Sequence, residues 1–135
     1  MARVLVVDDD SLVRGTIRLA LQRAKHEVLE AEDGEKALAL LKNLNAGPVD
    51  LVITDIIMPE IDGIGLVTAL HKRYPPLRIL VISGGGRTRN LDFLRMAKEL
   101  GAHATLPKPF APEQLLAAVE EALASPPDRE PPTAA

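Results

Sequence analysis

Four short runs, each ending on a reactive side chain, constrain this chain more than any other feature. Val4-Leu5-Val6-Val7 leads into Asp8-Asp9-Asp10, Leu51-Val52-Ile53-Thr54 into Asp55, Ile79-Leu80-Val81-Ile82 into Ser83, and Ala104-Thr105-Leu106-Pro107 into Lys108. Helical patterns separate them. Val13, Thr16, Ile17, Ala20, Leu21 and Ala24 recur at helical spacing over residues 12–24, and Ala37, Leu38, Leu40 and Leu41 form a stripe over residues 34–44. Further helices are predicted over 64–74, 91–100 and 113–124. Pro75-Pro76 closes the first of these, Gly101 caps the second, and Pro112 enters the third. A weaker alternating strand fits residues 26–31, and Asn45-Ala46-Gly47-Pro48 breaks the helix before it can reach the next strand.

Strict alternation of strand and helix implies right-handed crossovers and one parallel sheet covered on both faces. Residues 3–7, 50–54 and 78–82 are apolar at nearly every position, as strands buried on both sides must be. Residues 26–31 and 104–106 are more polar and suit the edges. The expected architecture is an α/β, doubly wound, flavodoxin-like (βα)5 fold with five parallel strands in the order 2-1-3-4-5. One domain covers residues 1–124. Residues 125–135, rich in proline and poor in apolar bulk, are expected to form a disordered tail.

Composition narrows the function. Of the 135 residues 47% are hydrophobic and only 2% aromatic, so the core is aliphatic. A net charge of −3 argues against a nucleic-acid surface. The absence of cysteine removes disulfides, thiolate metal sites and thiol nucleophiles. No apolar run approaches the roughly 20 residues of a membrane helix, and the first run is too short for a signal peptide. The expected location is cytoplasmic, with no membrane partner.

In an open parallel sheet the carboxyl ends of the strands share one edge, where ligands bind. Asp8, Asp9 and Asp55 then converge. Two carboxylates 4 Å apart repel by about 4 kcal/mol at an effective dielectric near 20. Lys108 supplies one compensating charge, and a divalent cation supplies the rest. Oxygen donors alone favour Mg²⁺, which also keeps places for water and phosphate oxygens. Lys108 and Ser83 are suited to phosphoryl oxygens, and a carboxylate can carry a phosphoryl group as an acyl phosphate. Asp10 or Ser11 is assigned to cap the first helix instead. Gly84-Gly85-Gly86 lacks the lysine and Ser/Thr of a P-loop, so nucleotide binding is not expected. His26, His71 and His103 share no ligand spacing. Arg87, Arg89, Arg95 and Lys98 fit a solvated face and a docking face equally well.

With these residues together, the chain resembles the receiver domain of bacterial two-component response regulators over about residues 3–124. The resemblance rests on VLVVDD, DLVITDIIMPEIDG, ILVISG and LPKPF. It implies that Asp55 accepts a phosphoryl group from a histidine kinase or a histidine phosphotransfer protein. It implies that Asp8, Asp9, Asp55 and the backbone carbonyl of Ile57 hold Mg²⁺, and that Ser83 and Lys108 bind the phosphoryl oxygens. Such a protein is a signalling module rather than an enzyme, since it catalyses only its own phosphorylation and dephosphorylation. Family members often carry an aromatic residue on the fifth strand where this chain has Thr105, so a switch built on that ring is not expected. The segment from Gly84 to Asn90 is also longer and richer in glycine than usual. With no effector domain following, a single-domain regulator that acts through an unknown downstream protein is expected. Ile57, two residues past Asp55, is expected to impede a hydrolytic water.

Two other functions compete. A phosphatase of the haloacid dehalogenase type would read Asp8-Asp9-Asp10 as its Asp-x-Asp, but leaves Asp55 without a role. A scaffold that binds partners without phosphorylation would account for Thr105 and the glycine loop, but not for the complete acidic site.

Overall fold

The computed structural model describes residues 2–42, 49–55, 63–74, 77–83 and 101–124. Ile57, the Gly84 to Asn90 segment, the helix expected over 91–100, the basic residues 87–98 and the tail expected over 125–135 lie outside these residues. Five parallel strands form one sheet in the order β2-β1-β3-β4-β5, as expected: β1 (Arg3–Val7), β2 (Glu27–Ala31), β3 (Leu51–Asp55), β4 (Arg78–Ser83) and β5 (Ala104–Pro107). The described helices are α1 (Ser11–Arg23), α2 (Gly34–Lys42), α3 (Gly63–Arg73) and α4 (Pro112–Ala124).

Period-two alternation divides the core in two. Leu5, Val7, Val52, Ile79 and Val81 face one side, where they pack with Ala37 of α2 and with Leu66, Val67 and Leu70 of α3. Val4, Val6, Leu51, Ile53, Leu80 and Ile82 face the other, against Ile17 and Leu21 of α1 and Leu115 and Val119 of α4. Both faces are therefore dry, and the three central strands need apolar residues at almost every position. The edge strand β2 is exposed or half-buried until Ala31.

Element boundaries differ from expectation where hydrogen bonding overrides side-chain character. Asp55 and Ser83 belong to their strands, because Asp55 pairs with Ile82 and Ser83 with Pro107 in the ladders. Asp50 instead lies just before β3, where its carboxylate accepts the Arg3 amide at 2.8 Å and its own amide donates to the Arg3 carbonyl. Asp10 caps α1: its carboxylate accepts the amides of Leu12 at 2.9 Å and Val13 at 3.5 Å, so Ser11 becomes the first helical residue. Gly101 has φ +129°, and a Cβ there would stand 2.8 Å from the His71 ring, so both backbone and space require glycine. His103 is buried and bridges β4 and β5, its amide donating to the Ile79 carbonyl and its Nδ1 accepting the Ile79 amide. The Lys108–Pro109 peptide bond is cis.

The two-faced core yields a stability test. Leu80→Ala, in a fully buried central strand, is expected to cost about 2–5 kcal/mol of unfolding free energy in urea titrations. Leu29→Ala on the half-buried edge strand is expected to cost less than half as much. Equal losses would contradict this layering.

Candidate phosphoryl and metal site

Register assembles the site. Val7 pairs with Thr54, so Asp8 and Asp55 each stand one residue further along adjacent strands. Asp55 pairs with Ile82, which places Ser83 one step beyond, and Ser83 pairs with Pro107, which places Lys108 one step beyond that. Two strands, and the segments just past two others, thus deliver their reactive residues to one edge. Of Ser83, the structure describes only this backbone position.

The acidic residues meet closely. One carboxylate oxygen from each of Asp8, Asp9 and Asp55 lies within 4.8 Å of the other two. Asp8 and Asp55 are buried, whereas Asp9 is exposed. Lys108 Nζ donates to Asp55 Oδ2 at 3.1 Å and to Asp8 Oδ2 at 3.4 Å. The other oxygen of Asp8 accepts the Asp10 amide at 2.9 Å. Thr54 Oγ1 donates to the Asp55 carbonyl at 2.9 Å and fixes the peptide at the strand end.

Burial dominates the ionisation of Asp8 and pushes its carboxyl above the ordinary value of 3.8. The Asp10 amide and Lys108 oppose that shift, and Asp55 adds to it. For Lys108, burial alone would lower the pKa. The charges of Asp55 and Asp8 and their hydrogen bonds together outweigh burial, and the net shift is upward from 10.5. Lys108 therefore contributes its full stability below pH 10.5 and loses it only as the pH rises through the higher folded value. The sign for Asp8 is opposite. Its raised pKa means that ionised Asp8 weakens the folded state, a cost absent below pH 3.8 and complete above the folded pKa.

The donor set fits a hard divalent cation: among the described residues it is three carboxylates, with no nitrogen or sulfur ligand. Lys108 compensates only one of three negative charges. Asp10 is not part of the cluster, because its side chain is committed to the helix cap. The Asp-x-Asp arrangement of the phosphatase reading is therefore absent. Sequence reasoning did not single out Arg14. Its guanidinium donates to the Asp8 carbonyl at 2.5 Å and to Glu30 Oε1 at 3.2 Å. The only signal in the sequence was a cation one turn into the helix after the aspartates. Its partner lies 16 residues away on an edge strand.

Comparison with known proteins agrees with this architecture. Residues 4–120 match the family model of the response regulator receiver domain. The DNA-binding transcriptional regulator NtrC of Azospirillum brasilense is 39% identical over 124 residues, covering 92% of this chain and 24% of NtrC. The sensor kinase CckA of Brucella abortus is 39% identical over 126 residues, covering 90% of this chain and 12% of the kinase. The chain thus spans a quarter or less of these curated relatives. A crystal structure of a response regulator receiver domain protein from Clostridium thermocellum matches with a TM-score of 0.82 at 30% identity, covering 91% of this chain and 94% of that one. Among the described residues, no helix is long and apolar enough to cross a membrane.

The electrostatics of Asp8 set a testable balance between stability and metal binding. In EDTA at neutral pH, Asp8→Asn is expected to raise the thermal midpoint by a few degrees, because it removes a buried charge that weakens the fold. Added Mg²⁺ is expected to stabilise the parent protein and to leave the variant nearly unchanged. A variant less stable than the parent in EDTA would contradict the burial argument.

Proposed function

The chain belongs to the response regulator receiver domain family, and from that premise we propose that it is the phosphoacceptor of a two-component phosphorelay, with Asp55 as the acceptor. The observation that carries this reading is the placement of Lys108 Nζ within 3.4 Å of both Asp8 and Asp55, at the rim of the three-carboxylate cluster.

A histidine kinase or a histidine phosphotransfer protein is the donor in this reading. An Asp55 carboxylate oxygen attacks the phosphorus of the donor's phosphohistidine. The P–O bond to Asp55 forms as the P–N bond breaks, and the bonding pair returns to the imidazole nitrogen. Lys108 moves from a carboxylate partner to a phosphoryl oxygen, so its charge follows the charge being transferred. The Ser83 hydroxyl is assigned a second phosphoryl oxygen. The Asp8, Asp9 and Asp55 carboxylates and the Ile57 carbonyl would hold Mg²⁺, which neutralises charge on the phosphoryl oxygens when bound. The receiver unit is assigned to residues 1–124, with 125–135 as a tail. Output is assigned to contact with a downstream protein in the cytoplasm, in keeping with a net charge of −3.

Incubation with Mg²⁺ and acetyl phosphate is expected to add the mass of one phosphoryl group. Asp55→Asn is expected to abolish the increase, and its persistence in that variant would remove Asp55 as the acceptor. The sec-butyl side chain of Ile57 is apolar and lies two residues past the acceptor in sequence. Ile57→Asn is therefore expected to shorten the lifetime of the phosphorylated form, measured by intact-mass decay after removal of the donor. Equal decay rates would eliminate any shielding role for Ile57.

A further inference from the structure

The carboxylates of the cluster are not held alike. Asp8 is buried and anchored through both of its oxygens, by the Asp10 amide and by Lys108. Asp55 is buried and faces Lys108. Asp9 is exposed, and among the described residues its carboxylate makes no hydrogen bond or ion pair. The position of its carboxylate therefore depends on the backbone that carries it, above all on the Asp8–Asp9 peptide.

Arg14 grips that peptide. From the first turns of α1, its Nη1 donates to the Asp8 carbonyl at 2.5 Å while its Nε donates to Glu30 Oε1 at 3.2 Å. Glu30 is held in turn by Arg18, whose Nη1 donates to Oε2 at 2.6 Å. The Arg18 hydrogen bond is the largest influence on Glu30 and, with Arg14, holds its carboxyl below the ordinary 4.5 against the effect of burial. Glu30 is thus ionised wherever Mg²⁺ can bind, and it orients the guanidinium fork. A planar fork can bond two oxygens at once, which an ammonium on a flexible stem does poorly. One peptide earlier, the Asp8 amide donates to the Ala31 carbonyl at 3.2 Å. Glu30 and Ala31 are consecutive residues at the end of β2, so the edge strand holds the acidic loop from two directions.

Resting on the functional reading above, we propose that Arg14, oriented by Glu30, is a positioning residue that sets the Asp8–Asp9 peptide and thereby presents the exposed Asp9 carboxylate to the metal. Arg14 touches neither the cation nor the phosphoryl group. A cleft of about 250 Å³ lined by Arg14, Glu30, Glu32 and Lys36 opens beside the half-buried pair, so water can solvate either partner when the other is removed. Partners that orient a metal ligand commonly change metal affinity by about 10–100-fold when removed.

The test measures Mg²⁺ affinity by isothermal titration calorimetry in the full chain, with the thermal midpoint and the Asp9 and Asp10 amide resonances recorded in EDTA. Arg14→Gln is expected to weaken Mg²⁺ binding about tenfold, to shift the Asp9 amide resonance in the metal-free protein, and to move the midpoint little. Arg14→Lys, which keeps the charge but not the fork, is expected to weaken binding as well. Arg3→Gln, which breaks the Arg3–Glu27 pair at the opposite end of β2, is expected to leave affinity unchanged. Parental affinity in Arg14→Gln would overturn the proposal. Full recovery in Arg14→Lys would also overturn it, since charge alone would then explain the effect. Should Arg14→Gln not fold, Glu30→Gln carries the test: weakened binding supports the proposal and unchanged binding overturns it. Failure of the parent protein to bind Mg²⁺ would instead overturn the functional reading on which the proposal rests.

Discussion

Carboxylates held together against their own repulsion are the constraint on which the rest of this structure depends. Two of the three, Asp8 and Asp55, are buried: Asp55 pairs in the ladder with Ile82, and Asp8, one residue past β1, is held by its amide on the Ala31 carbonyl. Lys108 relieves part of the strain and cannot relieve it all. Such an arrangement stores affinity for positive charge, because stability that the fold forgoes in the metal-free state returns when a cation binds.

The aliphatic core makes the constraint tenable. Val4 to Val7, Leu51 to Ile53 and Ile79 to Ile82 are sealed on both faces by helices, so the central strands form a rigid floor beneath the site. A closely packed interior does not deform gradually. The strand ends therefore hold their side chains in place. Arg14 and Glu30 tie the edge strand to the acidic loop that carries Asp9.

Most of the fold was legible in the sequence because burial on both faces leaves a plain signature. Strands β1, β3 and β4 read as continuous apolar runs, and the more polar β2 and β5 read as edges. Asp8, Asp9, Asp55 and Lys108 were legible because strand ends in a parallel sheet converge whatever the details of packing. Boundaries were less legible. Asp55 and Ser83 looked like loop residues by character, yet ladder pairing with Ile82 and Pro107 keeps them in strands. Arg14 was illegible for a related reason. Its partners are a backbone carbonyl and an edge-strand carboxylate, and only the register of β2 against β1 brings these together.

A crystal structure grown with Mg²⁺ and beryllium fluoride, a mimic of the phosphoryl group, tests the central claim most directly. The account predicts beryllium bonded to an Asp55 oxygen, a cation ligated by Asp8, Asp9 and Asp55, and Lys108 Nζ turned toward a fluoride. Beryllium fluoride on another residue, or a cation bound away from these three carboxylates, would contradict it.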